Sequence, residues 1–269
     1  MATRHAHSAM KEVPPLQHMT PCCVGAFLRS TAILLVACSI APPVYAYRPF
    51  NGTDAAVADV GELEFELQPA GVLQEGGTQT LVAPWLVTNF GFATKWEAVL
   101  EGKLQTPLSS DENPSLTDAG LSLKYVLREG SLQEKSGPSI ATEFGALLPG
   151  VGADAGTGGT WAAIISERWD WGAIHLNLQP SLTRDHRAEL FVSTILEGPS
   201  KWKVRPVAEI FFDDTFGEER TVSGLVGLIW QVRENVAVDF AFRAASTDSR
   251  PVEEIRAGVT FGIPVWRTK

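Results

Sequence analysis

The chain has 269 residues, 45% hydrophobic and 20% charged, with a mean hydropathy of +0.03 and a formal net charge of −9. That apolar content excludes a disordered chain, and the acidity argues against a nucleic-acid partner, whose phosphates call for Lys and Arg. A bundle of transmembrane helices is excluded too: each span needs about 20 consecutive apolar residues, and only Ser30 to Val44 comes close.

That segment follows Arg29 and ends in Val44-Tyr45-Ala46. A basic residue, a short apolar core and small residues at both key positions make a secretory signal peptide with its cut near Ala46. The organisation expected is a mis-called start or disordered extension over 1–18, a signal peptide over 19–46 beginning at Met19, and one barrel domain over 47–269. Leu35-Val36-Ala37-Cys38 offers an alternative, a lipobox with a lipid on Cys38. Cys22, Cys23 and Cys38 all precede the cut, so the mature chain has no disulfide, thiolate metal site or cysteine nucleophile. Residues 1–46 carry a net +2 (Arg4, Lys11 and Arg29 against Glu12), which leaves −11 for the mature part of a −9 chain.

Tyr47 to Asp59 reads as an irregular lead-in with Pro49, Gly52 and Asp54. From Gly61 the pattern becomes dyadic, as in a strand whose successive side chains point to opposite faces. Leu63, Phe65 and Leu67 oppose Glu62, Glu64, Glu66 and Gln68, a polar face too costly to bury dry. Loop 69–77 leads to a strand over Thr78–Thr88, and a turn at Asn89-Phe90-Gly91 leads to Trp96–Gln105. There Trp96, Ala98, Leu100 and Leu104 oppose Glu97, Val99, Glu101 and Lys103. After loop 108–116, Leu121, Leu123, Tyr125 and Leu127 oppose Lys124 and Arg128. Ser139–Leu148 sets Phe144 and Leu148 against Glu143. Thr160–Trp169, beyond the glycine-rich loop 150–158, has no assignable phase, nor has Arg187–Leu196.

Between them, past the turn at Asp170, Ile174, Leu176 and Leu178 alternate with His175, Asn177 and Gln179. Past Pro199, Trp202, Val204, Ala208, Ile210 and Phe212 oppose Arg205 and Glu209. The acidic loop 213–219 follows, then Val226, Leu228, Trp230 and Val232 oppose Ser223 and Gly227. After Glu234-Asn235, Val238, Phe240 and Phe242 oppose Asp239 and Arg243, and Ile255, Ala257, Val259 and Phe261 oppose Glu254, Arg256 and Gly258.

Ten-residue dyadic segments separated by turns mark an all-β chain, an antiparallel up-and-down transmembrane β-barrel of about 12 strands. Tight turns at Asn89, Asp170, Pro199 and Asn235 interleave with longer loops, as short periplasmic turns do with external ones, although the connection 129–137 is too long for that pattern and 183–186 too short. Periodicity alone does not choose between a membrane barrel, charged inside, and a lipocalin-like soluble barrel, charged outside. Trp96, Trp169, Trp171, Trp202 and Trp266 at strand ends favour the former, because interfacial aromatics girdle membrane barrels. So do glycines on the polar face, which leave room for long charged side chains in a crowded lumen.

Arg48-Pro49-Phe50, Thr53-Asp54, Val57, Gly61 and Glu62-Leu63-Glu64-Phe65-Glu66 together resemble the opening of an outer-membrane family labelled MetA-pathway of phenol degradation. Asn89-Phe90-Gly91 through Trp96-Glu97 resembles that family's second motif, with Phe90 where tyrosine is usual and Ala93 departing from the pattern. The resemblance implies a barrel passing small compounds, aromatic ones among them.

The lumen lining expected is Glu62, Glu64, Glu66, Glu97, Glu101, Lys103, Lys124, Arg128, Glu143, His175, Arg205, Glu209, Asp239, Arg243, Glu254 and Arg256. Mixed charges of this kind serve either as a selectivity filter or as pairs that plug the bore. No enzyme is expected: His175, Asn177 and Ser181 share a strand face but rise along it without converging on a nucleophile. Gly150 to Gly159 lacks the Lys-Ser/Thr and helix of a nucleotide loop, and no cofactor or metal is expected. Asp213, Asp214, Glu218 and Glu219 read as a solvated loop rather than a Ca²⁺ site. The reading is an outer-membrane passive pore or transporter for small polar or aromatic solutes. Its partners are lipid, lipopolysaccharide, small solutes and, during insertion, the barrel-assembly machinery. A closed structural barrel and a periplasmic ligand-binding barrel are the alternatives.

Overall fold

The computed structural model describes residues 48–110, 112–153 and 155–266; the signal peptide, Met19, Cys38 and the cut near Ala46 lie outside them. Alternating side chains give twelve strands: β1 (Glu62–Glu75), β2 (Thr78–Ala93), β3 (Trp96–Pro107), β4 (Ser115–Arg128), β5 (Ser139–Leu147), β6 (Gly158–Trp169), β7 (Gly172–Leu182), β8 (Ala188–Glu197), β9 (Val204–Thr215), β10 (Glu219–Arg233), β11 (Val236–Thr247) and β12 (Arg250–Pro264). Each pairs antiparallel with its chain neighbours, and β1 closes on β12 with Phe65 opposite Phe261, their rings stacked at 5.2 Å. Closure leaves no unpaired strand edge.

Several boundaries differ from the sequence reading. Residues 69–75 continue β1 beyond a bulge between Leu67 and Ala70, despite Pro69 and Gly71, so the connection to β2 is only Gly76-Gly77. Asn89 lies inside β2; the turn comes at Thr94-Lys95, where Lys95 takes a left-handed φ of 67°. Asp213–Thr215 and Glu219 belong to β9 and β10, which shrinks that loop to three residues, and β4 begins at Ser115. In the 129–138 connection, a single 3₁₀ turn at Ser131–Gln133 folds in beneath the barrel and buries Leu132, which accounts for its length.

The outside of the ring is apolar. Leu100, Ile210, Val226, Leu228 and Phe240 are all about half exposed or more in the bare barrel. A continuous belt of this kind needs hydrocarbon around it, and a soluble barrel with polar staves outside is not what the chain builds. At the rim where β1 begins and β12 ends, Trp96 lies 4.5 Å from Tyr125 and Trp169 stacks on Trp171. Phe90 meets Trp266 edge-on, and Trp202 is exposed between β8 and β9. All five expected girdle tryptophans therefore sit at one end.

Candidate functional site

The inside of the barrel is occupied by its own lead-in. Residues 48–59 have no alternation and no secondary structure of their own, yet Arg48, Pro49, Phe50, Gly52, Asp54, Ala55 and Ala58 are buried. They form a strap that winds along the inner wall and engages all twelve strands.

At its start, Arg48 donates to Gln68 of β1 at 2.7 Å and faces Asp239 of β11 at 3.4 Å. Arg256 of β12 donates to the Pro49 carbonyl at 2.7 Å. Phe50 shares an apolar cluster with Ile195 of β8, Val207 of β9, Leu225 and Ile229 of β10, and Ala237 and Ala241 of β11. The amides of Asn51 and Gly52 both donate to the Glu209 carboxylate of β9 at 2.8 Å. Thr53 donates its amide to Asn177 of β7 at 3.0 Å and receives Lys124 of β4 on its hydroxyl at 3.0 Å. Asp54 lies 3.6 Å from the same Lys124. Ala55 donates to Ser166 of β6 at 2.9 Å and sits in a second apolar cluster with Leu132, Ala141 of β5, Ala162 and Ile164. Ala58 donates to Glu97 of β3 at 2.6 Å, and Gly61 donates to the Gly91 carbonyl of β2 at 2.7 Å.

Two glycines are required by this closeness. A side chain at Gly52 would collide with Ser193 Oγ and come within 2.9 Å of Asn177 Nδ2. One at Gly258 would enter the space taken by the Arg48–Asp239 pair.

Most of the expected lining residues are drawn into strap contacts or ion pairs. Glu97, Lys124, Glu209, Asp239 and Arg256 hold the strap directly. Glu254 accepts from Arg243 at 2.9 Å and from Arg256 at 2.8 Å. Glu66 accepts from Asn89 at 2.8 Å, Glu143 is bonded to Ser122, and Lys103 pairs with Asp118. Glu62 is buried at the terminal rim, and Glu64 and Glu101 face open space. Arg128 departs from expectation: a bulge after Val126 turns it out of the lumen, where it is exposed and donates to the Pro138 and Ser136 carbonyls.

His175 has partners the sequence did not suggest. Its Nδ1 lies 2.8 Å from Ser166 Oγ and its Nε2 3.3 Å from Glu197, which also faces Arg205 at 3.6 Å. The chain resembles a serine-hydrolase relay, but Ser166 is fully buried and its oxygen already receives the Ala55 amide. A substrate has no room at that oxygen, and the group acts as a latch on the strap. Ser181 bonds Thr160 instead.

Nothing in the sequence pattern points to Trp85 as a lumen residue. A bulge between Val82 and Trp85 carries its ring into the lumen, with Arg48, Lys103 and Arg256 at 5.2, 5.6 and 5.3 Å from the ring centre. Three cations around one indole are a cation–π cluster on the β2–β3–β12 side.

A cavity of about 220 Å³ remains beside the strap, bounded by Thr53, Asp54, Val57 and Ala58 and by walls that include Glu64, Glu66, Trp85, Glu97, Glu101, Lys124, Glu143 and Asn177. Among the described residues, no group of His, Cys, Asp and Glu is placed to hold a metal ion.

Similar folds are known among solved structures. A COG4313 outer membrane channel from Pseudomonas putida F1 superposes with a TM-score of 0.58 at 8% identity, covering 80% of this chain and 99% of that one. The NanC porin gives 0.54 at 7% identity, covering 74% and 98%. The KdgM porin, in complex with disordered oligogalacturonate, gives 0.50 at 11% identity, again covering 74% and 98%. No family model and no curated protein matches the sequence. At such identities the likeness is one of fold, and that fold is the closed antiparallel barrel of outer-membrane channels.

Proposed function

We propose that the protein is a passive outer-membrane channel for small solutes, exported behind the signal peptide and inserted with its strap end toward the periplasm. The observation that carries this is the combination of an apolar exterior with a charged interior in which the strap leaves a cavity of about 220 Å³. The neighbours' descriptions as porins and channels support the reading. So does the family resemblance, since Arg48-Pro49-Phe50, Thr53-Asp54 and Gly61 are residues of the strap and its exit. Lipid and lipopolysaccharide would meet the outer belt, and the barrel-assembly machinery would insert it.

A closed structural barrel is the second reading, favoured by contacts between the strap and every strand. Conductance of the purified, heat-modifiable protein in planar lipid bilayers decides between them. Discrete channel events support the pore, whereas a folded but silent barrel leaves the structural role.

A further inference from the structure

We infer that the cavity beside the strap is a binding site for small organic cations of the ammonium or guanidinium type that also carry a hydrogen-bond acceptor. This deepens the channel reading by naming its solute class. It rests on that reading for passage, though not for binding.

The cavity is lined by six carboxylates, those of Asp54, Glu64, Glu66, Glu97, Glu101 and Glu143, against two cations, Arg48 and Lys124. Both cations are committed elsewhere, Arg48 to Gln68 and Asp239, Lys124 to Thr53 and Asp54. Glu66, Glu97 and Glu143 are likewise occupied by Asn89, the Ala58 amide and Ser122. Glu64 and Glu101 have no hydrogen bond or ion pair among the described residues. An enclosed wall with two carboxylates open and an excess of negative charge attracts cations and repels anions.

A second feature points to the other end of the ligand. Asn177, only 5% exposed, lines the same cavity. Its oxygen is taken by the Thr53 amide, while its Nδ2 has no partner. A buried donor left open is costly, and a hydroxyl or carboxylate on the bound cation would satisfy it. The wall therefore asks for nitrogen donors at Glu64 and Glu101 and for an acceptor at Asn177. An aromatic anion offers the acceptor but no donor, and its charge is repelled by Glu64 and Glu101; an apolar compound would leave all three groups unmet.

Ethanolamine carries both functions and serves as the probe. Calorimetric titration of the folded protein in detergent micelles should show ethanolamine binding and benzoate binding at least about tenfold weaker. The double variant Glu64→Gln, Glu101→Gln should lose about tenfold in ethanolamine affinity, the order expected for removing two facing charges. Heat-modifiable mobility checks that the variant is folded; Glu101→Gln alone, at an exposed position, gives a smaller loss if the double variant is not. Benzoate binding as tightly as ethanolamine, or variants with unchanged affinity, would overturn the inference. Ethanolamine binding in a barrel that stays silent in bilayers upholds the site and removes the channel.

Discussion

The backbone amide of Ala58 donates to the carboxylate of Glu97 at 2.6 Å. A strand residue on the charged face thus holds a piece of main chain, and Glu209 does the same for Asn51 and Gly52. Part of the acidic ladder inside this barrel is a surface that recognises peptide backbone.

Replacing Glu97 with leucine should strand the Ala58 amide and leave Lys124 short of a counter-charge. The expected cost is about 1–3 kcal/mol for the unmet donor alone, read by urea unfolding of the barrel in phospholipid vesicles. Glu97→Gln keeps an acceptor and should cost less; equal losses in the two variants would contradict the hydrogen bond's role.

Phe50 is the strap's apolar anchor, 5% exposed among side chains from four strands. Phe50→Ala removes a fully packed ring, for which about 3–5 kcal/mol is typical. Phe216, 54% exposed in the turn between β9 and β10, is the control, and its alanine variant should stay within about 0.5 kcal/mol of the parent.

At Gly52 any side chain meets Ser193 and Asn177. Gly52→Val should cost about 1–3 kcal/mol by overpacking and push the strap off the β7–β8 wall. Single-channel conductance above the parent's is the expected signature, and an unchanged conductance with unchanged stability would mean the wall yields instead.

The outward face is tested by charge. Val226 lies midway along β10 and is 61% exposed on the apolar belt. Val226→Arg should destabilise the vesicle-inserted barrel by about 2–4 kcal/mol, the mid-bilayer cost of a cation. Gln179→Arg, on the lumen side, should cost far less.

One titration outside the spanning strands has a clear sign. Glu129 accepts from Lys135 and pairs with Lys95, which holds its carboxyl below the usual carboxylate range. A depressed folded pKa contributes stability above the unfolded value and loses it as pH falls through the folded one. Between pH 7 and 5, therefore, Glu129→Gln and the parent should show parallel heat-modification profiles; divergence in that window would mean another group titrates there.

Twelve staves were legible because a lipid-facing and a lumen-facing side chain alternate along each one. The two strands that resisted a phase, β6 and β8, did so for a physical reason. Ile164 and Ile195 point inward and are fully buried, so both faces read as apolar. They belong to the clusters beneath Ala55 and Phe50, and the blurred alternation is the strap's footprint on the wall. In the sequence the strap has the look of an irregular lead-in. Its conformation is set by acceptors far away in the chain, such as Glu209 and Asn177, and leaves no local period. Trp85 escaped because its side is decided by a bulge, and Arg128 was misplaced for the same reason.

The strap precedes every strand in the chain, yet one of its fastenings comes from the last of them. Among the described residues, the Pro49 carbonyl receives its side-chain donor from Arg256 on β12, the strand whose pairing with β1 shuts the ring. The strap thereby registers the arrival of the last strand, and a chain truncated before β12 would leave the Pro49 carbonyl without that clasp.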